Sequence, residues 1–173
     1  MKAAHHDFAA SPQALRAALR PALASGALAG LFSAATAAAR SALESGSAFA
    51  PINAVTHCLW PRKALHQRDF SLRYTATGFA IHQASAIFWA VLFEALVDRM
   101  VGSTPRRRPG ATATAAAATA ATAYVVDYKV VPARLTPGFD AHLSRGSLAA
   151  VYVALGAGLL TAALLRPSDR RGR

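Results

Sequence analysis

Cysteine is all but missing: Cys58 is the one thiol in 173 residues. It has no partner for an intramolecular disulfide, and a cysteine-only zinc site is excluded. Acidic residues are scarce too, 8 against 19 lysines and arginines, which leaves a net charge of +11. Neither a phosphate-cradling G-x-x-x-x-G-K-[ST] loop nor a G-x-S-x-G nucleophile turn occurs. Bis-histidine haem needs two histidines at matched depth, and only His82 falls inside a long apolar run. The spacing of His57, Cys58, His66 and His82 matches no standard metal site. Nothing in the sequence argues for an enzyme, a cofactor or a metal.

Apolar residues are abundant, at 54% of the chain with a mean hydropathy of +0.28. A disordered polyelectrolyte has too little apolar content to match this. The length suits one domain. A membrane-spanning helix needs about 20 mainly apolar residues. Residues 22–39, ALASGALAGLFSAATAAA, carry no charge. Residues 75–93, TATGFAIHQASAIFWAVLF, carry none and are closed by Glu94. Residues 147–165, SLAAVYVALGAGLLTAALL, carry none and are followed by Arg166. Residues 110–126, GATATAAAATAATAYVV, form a weaker window because alanine is only mildly apolar. Threonine hydroxyls lower their own cost in lipid by bonding back to the preceding helical turn.

These windows predict an all-α polytopic membrane protein with four transmembrane helices, over about 22–39, 75–96, 110–131 and 147–165. They make up a single domain, 22–165, between a polar lead-in, 1–21, and a basic tail, 166–173. The soluble alternative is an alanine-rich bundle, but four uncharged windows fit poorly into so short a soluble chain. A signal peptide is the rival reading of the first window; its long leader and long apolar run favour a retained helix.

Ser11-Pro12 reads as a helix start, either of a short interfacial helix or of an extension of the first span. Residues 45–61 are uncharged but short for a span, and they hold Pro51, Asn53, His57 and Pro61. A re-entrant or interfacial segment fits them better than a fifth span. Phe49 and Trp60 suit the headgroup level. With four spans, eleven lysines and arginines fall on the side of the termini and eight on the other. That bias places both termini in the cytoplasm. Charge is spread over both faces, so no nucleic-acid partner is expected. Arg106-Arg107-Arg108 reads as a topology anchor or an anionic-lipid contact.

Gly26 and Gly30 share a stripe with Ala22, Ala34 and Ala38, and Gly158 shares one with Ala150, Ala154 and Ala162. Such small-residue faces serve helix packing, within the chain or at a homodimer seam. The expected partners are the lipid bilayer and either a second copy or another membrane protein. His82 lies about 10 Å below its end of the second span, and Asp127 about 6 Å below the matching end of the third. Tyr152 has a similar depth, and Asn53 and His57 belong to the connection on that side. These five residues form a candidate intramembrane polar layer, read either as a structural hydrogen-bond cluster or as a proton relay. A pairing of Asp127 with Lys129 or a loop arginine is the further alternative. Glu94 and Asp98, four residues apart at the other end, are candidates for ion pairs with Arg20, Arg99, Arg106 or Arg166.

Three segments are distinctive: Pro51-Ile52-Asn53-Ala54 with His57 and Trp60; Thr77-Gly78 through His82 to Trp89 and Glu94; and Asp127-Tyr128 followed by Leu135-Thr136-Pro137-Gly138-Phe139. With their flanks they cover about half of the chain. In them the chain resembles an uncharacterised family of small proteobacterial inner-membrane proteins. The resemblance implies a four-helix membrane fold in a bacterial inner membrane and implies no activity. Trp60-Pro61-Arg62-Lys63 departs from the family pattern, being basic where glycine and acidic residues are expected. The functional expectation is a non-enzymatic accessory, assembly or envelope-stress component. The alternative is a small channel or proton-coupled transporter using His82 and Asp127.

Overall fold

A computed structural model of the protein describes residues 12–101 and 108–166, with side chains from Leu19 onward. The cap expected at Ser11, the basic residues Arg106 and Arg107, and the tail from 167 lie outside the described residues. The chain builds α1 (Pro12–Ser45), α2 (Ala50–Ala54), α3 (Thr77–Val101), α4 (Pro109–Val125) and α5 (Arg145–Leu165). No strand occurs among the described residues. Three segments are long and apolar enough to cross a membrane: Leu19–Ser45, Leu72–Val101 and Arg145–Leu165. The expected fourth span is helical, as α4 and a π turn over Val126–Val130, but it is not among these three. Its four threonines and many alanines keep its hydropathy low.

The first helix is longer at both ends than its apolar window. Residues 12–21 of the lead-in, read as a short interfacial helix or as an extension of the first span, belong to α1, which runs on through Pro21. Proline removes one backbone donor there without ending the helix. At the other end α1 passes Arg40 and Glu44, which pair one turn apart at 3.3 Å. Gly46, at φ +75°, then closes it, with its N–H on Ala42 O at 3.1 Å. A left-handed residue after the last turn is the usual way to satisfy a free helical carbonyl, and glycine adopts it without a Cβ clash.

The helices α1 and α4 each pack on both α3 and α5, so the order round the bundle is α1, α3, α4, α5. Small residues permit this closeness. A Cβ on Gly26 would lie 2.5 Å from Ile87 Cα in α3, and one on Gly158 would lie 2.5 Å from Ala29 Cα in α1. Gly30 faces Gln83 and Ala86 of α3. All three glycines are buried against helices of the same chain. Phe93, Val97 and Leu159 fill the core beside buried alanines.

One end of the bundle carries two long connections. In the first, the longest helix is the five-residue α2, too short to cross a bilayer. Residues 50–57 are all buried, so this segment plugs the end of the bundle. A Cβ on Gly78 would run into the Ile52 carbonyl, which shows how closely α2 sits on α3. Asn53 makes the join: its amide donates to Gln67 O (3.2 Å) and Asp69 O (2.9 Å), and its oxygen accepts from Thr75 Oγ1 (2.7 Å). The second connection, between the π turn and α5, folds over it through 3-10 turns at Ala133–Leu135 and Phe139–Ala141.

Candidate functional site

Beneath these two connections lies a cavity of about 160 Å³. His82 of α3, Asp127 of the π turn and Tyr152 of α5 all line it. Each reaches it for a local reason. His82 is held by α1: its Nε2 lies 3.1 Å from Gly30 O and 3.0 Å from Ser33 Oγ. Asp127 stands where the helix widens to i→i+5 bonding, with Val131 N on Val126 O at 2.9 Å. Such π turns often mark functional positions. Tyr152 donates to Asp127 Oδ2 at 2.7 Å. Asp127 forms neither of the two ion pairs found among the described residues, so Tyr152, not Lys129 or a loop arginine, is its partner.

The rest of the wall is mainly apolar. Trp89 and Ala86 of α3, Val151 and Leu155 of α5, and Phe139 of the second connection enclose it. The Phe139 ring packs on His82, with centroids 5.7 Å apart. On the far side of Tyr152 stand Tyr124 and Tyr128, at 5.4 and 6.2 Å between centroids. The Tyr128 hydroxyl is buried without a partner among the described residues. Ser85 and Leu135 form an exposed rim. A second, larger space of about 510 Å³ runs between α4 and α5, lined largely by alanines with Tyr124, Tyr152 and Arg145.

Asn53 and His57 do not join the cavity wall. His57 is buried with both ring nitrogens on carbonyls, Nδ1 at 2.9 Å from Ala54 O and Nε2 at 3.0 Å from Ala133 O. It rivets the first connection to the second. Gly138, at φ +75°, brings the second connection up against the His57 ring. Asn53 and His57 thus hold the roof over the cavity, while His82, Asp127 and Tyr152 form its polar interior.

At the opposite end of the bundle, Glu94 accepts from Arg166 (2.5 Å) and from Ser25 (2.5 Å), joining α3 to α5 and α1. Asp98 is exposed and forms no ion pair among the described residues. Glu44 carries a role that its sequence position did not signal. Its carboxylate accepts from Ser144 N (2.8 Å), Ser144 Oγ (2.9 Å) and the Ser147 hydroxyl. A carboxylate from α1 therefore caps the N-terminus of α5, where helical N–H groups lack partners. The one available signal was the Ser144-x-x-Ser147 pattern ahead of an apolar run. Ser33 and Ser85 were also missed as wall residues, because an isolated serine in an apolar window carries no spacing signal.

No protein-family model matches the chain, and it matches no curated protein and no solved structure.

Proposed function

We propose that the protein is an integral membrane protein with four spanning segments, and that it serves as a non-enzymatic accessory component through a binding cavity at His82, Asp127 and Tyr152. The observation that carries this reading is the cavity itself. Polar side chains from α3, α5 and the end of α4 converge on one apolar-walled space. Concave, mainly apolar sites with a few convergent polar groups are where proteins bind small molecules. Polar groups at membrane depth are costly enough to point to function.

Two facts support counting α4 as a span. With its π continuation it gives roughly 30 Å of helix, about the thickness of the hydrocarbon core. Three of its threonines also hide their hydroxyls on carbonyls one turn back: Thr112 on Arg108 O, Thr114 on Gly110 O and Thr119 on Ala115 O, at 2.9–3.1 Å. The resemblance to small proteobacterial inner-membrane proteins and the excess of basic residues at the terminal side support a bacterial inner membrane with both termini cytoplasmic.

Single-cysteine labelling in a Cys58→Ser background tests the topology. Arg108→Cys and Lys129→Cys are expected to react with an impermeant maleimide from opposite sides of the membrane. Reaction from the same side would remove α4 from the spans.

A second reading, a small channel or proton-coupled transporter, is favoured by one observation: a carboxyl group and an imidazole line the same cavity. It requires flux into liposomes that Asp127→Asn abolishes while the fold survives. Absence of flux in the wild type would leave the binding role.

A further inference from the structure

We propose that the cavity takes a protonated organic amine about the size of one six-membered ring, with its ammonium group against Asp127 and its apolar body against Trp89 and Phe139. This rests on the reading of the cavity as a binding site and goes on to name the class of ligand.

Charge is the first argument. The chain carries +11, yet among the described residues neither lysine nor arginine lines this cavity. Asp127 is the one carboxylate in the wall and makes no ion pair among the described residues. A lone acidic group in an apolar enclosure is completed by a proton or by a cation that comes from outside, and the hydrogen-bond pattern and the wall chemistry favour the cation here.

Hydrogen-bond polarity is the second. Most hydroxyl protons in the wall are already given away. Tyr152 donates to Asp127, Ser33 to Ala29 O (2.8 Å) and Thr136 to Ala133 O (3.0 Å). The Gly30 carbonyl can only accept, so His82 Nε2 carries the proton directed at it. In the neutral ring, Nδ1 is then an acceptor. What these bonds leave on the lining residues is mainly lone pairs: those of Asp127 Oδ1, His82 Nδ1 and the hydroxyl oxygens. Ser85 on the rim and the Trp89 indole are the exceptions. A guest therefore needs several donors on a compact head, and an ammonium group has three.

Size and wall chemistry are the third. A cavity of about 150 Å³ holds benzene, and this one has about 160 Å³. Trp89, Phe139 and Tyr152 bring aromatic rings to the wall, and aromatic rings attract an organic cation as well as an apolar ring. A bare metal ion would instead need several oxygen, nitrogen or sulfur ligands converging on it. Among the described residues no group of three or more histidine, cysteine, aspartate or glutamate side chains could hold one.

The test is calorimetric titration of the full-length protein in mild detergent with benzylammonium chloride. Benzyl alcohol serves as the neutral isostere and sodium chloride as the inorganic cation. Saturable binding of one benzylammonium per chain is expected, with no competition from benzyl alcohol or sodium at equal concentration. Asp127→Asn is expected to weaken it at least about tenfold, and Asp98→Asn, at an exposed carboxylate, to leave it unchanged. If Asp127→Asn does not fold, the competition in the wild type decides by itself. Benzyl alcohol binding as tightly as benzylammonium would overturn the amine and keep the cavity as a binding site. Sodium displacing benzylammonium would overturn it in favour of an inorganic ion. Binding of none of the three would overturn the amine and the binding-site reading together.

Discussion

Tyr152 gives its hydroxyl proton to Asp127 Oδ2 across 2.7 Å, and so ties α5 to the π turn that ends α4. The two residues are 25 positions apart, and α4 and α5 are joined by a long irregular connection. The bond therefore does two jobs: it closes one corner of the bundle and it orients the carboxylate in the cavity wall.

Removing the donor should show the structural half of that role. Tyr152→Phe is expected to cost about 1–3 kcal/mol, because a partly buried carboxylate loses its partner. Asp127→Asn should cost less, since an amide oxygen still accepts. Unfolding midpoints of the two single variants and the double variant, in detergent, check this. Simple additivity would deny the coupling that a shared bond requires.

The close helix crossings make a sharper demand. Gly158→Ala puts a methyl group 2.5 Å from Ala29 Cα. A loss of about 1–3 kcal/mol is expected from overpacking. Gly146→Ala, in the first turn of α5 with nothing within 4 Å, is the control. Helix propensity should make it neutral or stabilising by up to about 1 kcal/mol. Thermal melts of the two variants separate crowding from any general effect of replacing glycine.

Gly138 combines a left-handed backbone with a close neighbour. Its φ is +75°, and a Cβ there would lie 3.0 Å from His57 Nδ1. Gly138→Ala is expected to lose about 1–2 kcal/mol through the backbone and to loosen the roof over the cavity. Faster hydrogen exchange at residues 54–58 would report the loosening. Unchanged exchange there would mean that the two connections are not held together at this point.

The pH dependence of stability should show His142, outside the spanning segments. Burial first, and then the nearby positive charge of Arg68, push its pKa below the ordinary 6.5. Its Nε2 has no partner among the described residues. The unfolded chain then binds a proton more readily than the folded one. Stability from this group is full above pH 6.5 and declines as the pH falls from there toward the lowered folded value. His142→Gln is expected to flatten that part of the stability curve. An equally steep decline in the variant would assign it to another group.

The helical class and the three strongest membrane segments were legible from apolar windows alone, because that signal is a sum over many residues and tolerates local error. Helix ends were less legible. The first helix runs past Arg40 and Glu44 because those charges find partners on α5, which no window average contains. The depth estimates put His82, Asp127 and Tyr152 near one level, and the structure lines one cavity with them. The same estimates could not separate them from Asn53 and His57. Residues in an irregular connection point wherever its turns direct them, and these turn toward backbone carbonyls of the two connections.

Composition by itself determined that this chain is helical and that it carries segments able to cross a membrane. Long uncharged runs leave the backbone few other ways to satisfy its polar groups in lipid. It also determined where helices can come close, since glycine and alanine permit short crossing distances. Which helices meet, and what their polar residues face, was decided only in three dimensions. Asp127 takes its meaning from a tyrosine 25 residues away and from a cavity wall that, among the described residues, holds no lysine or arginine. Neither property belongs to the residue; both follow from the packing order of the helices and from two connections folded over one end.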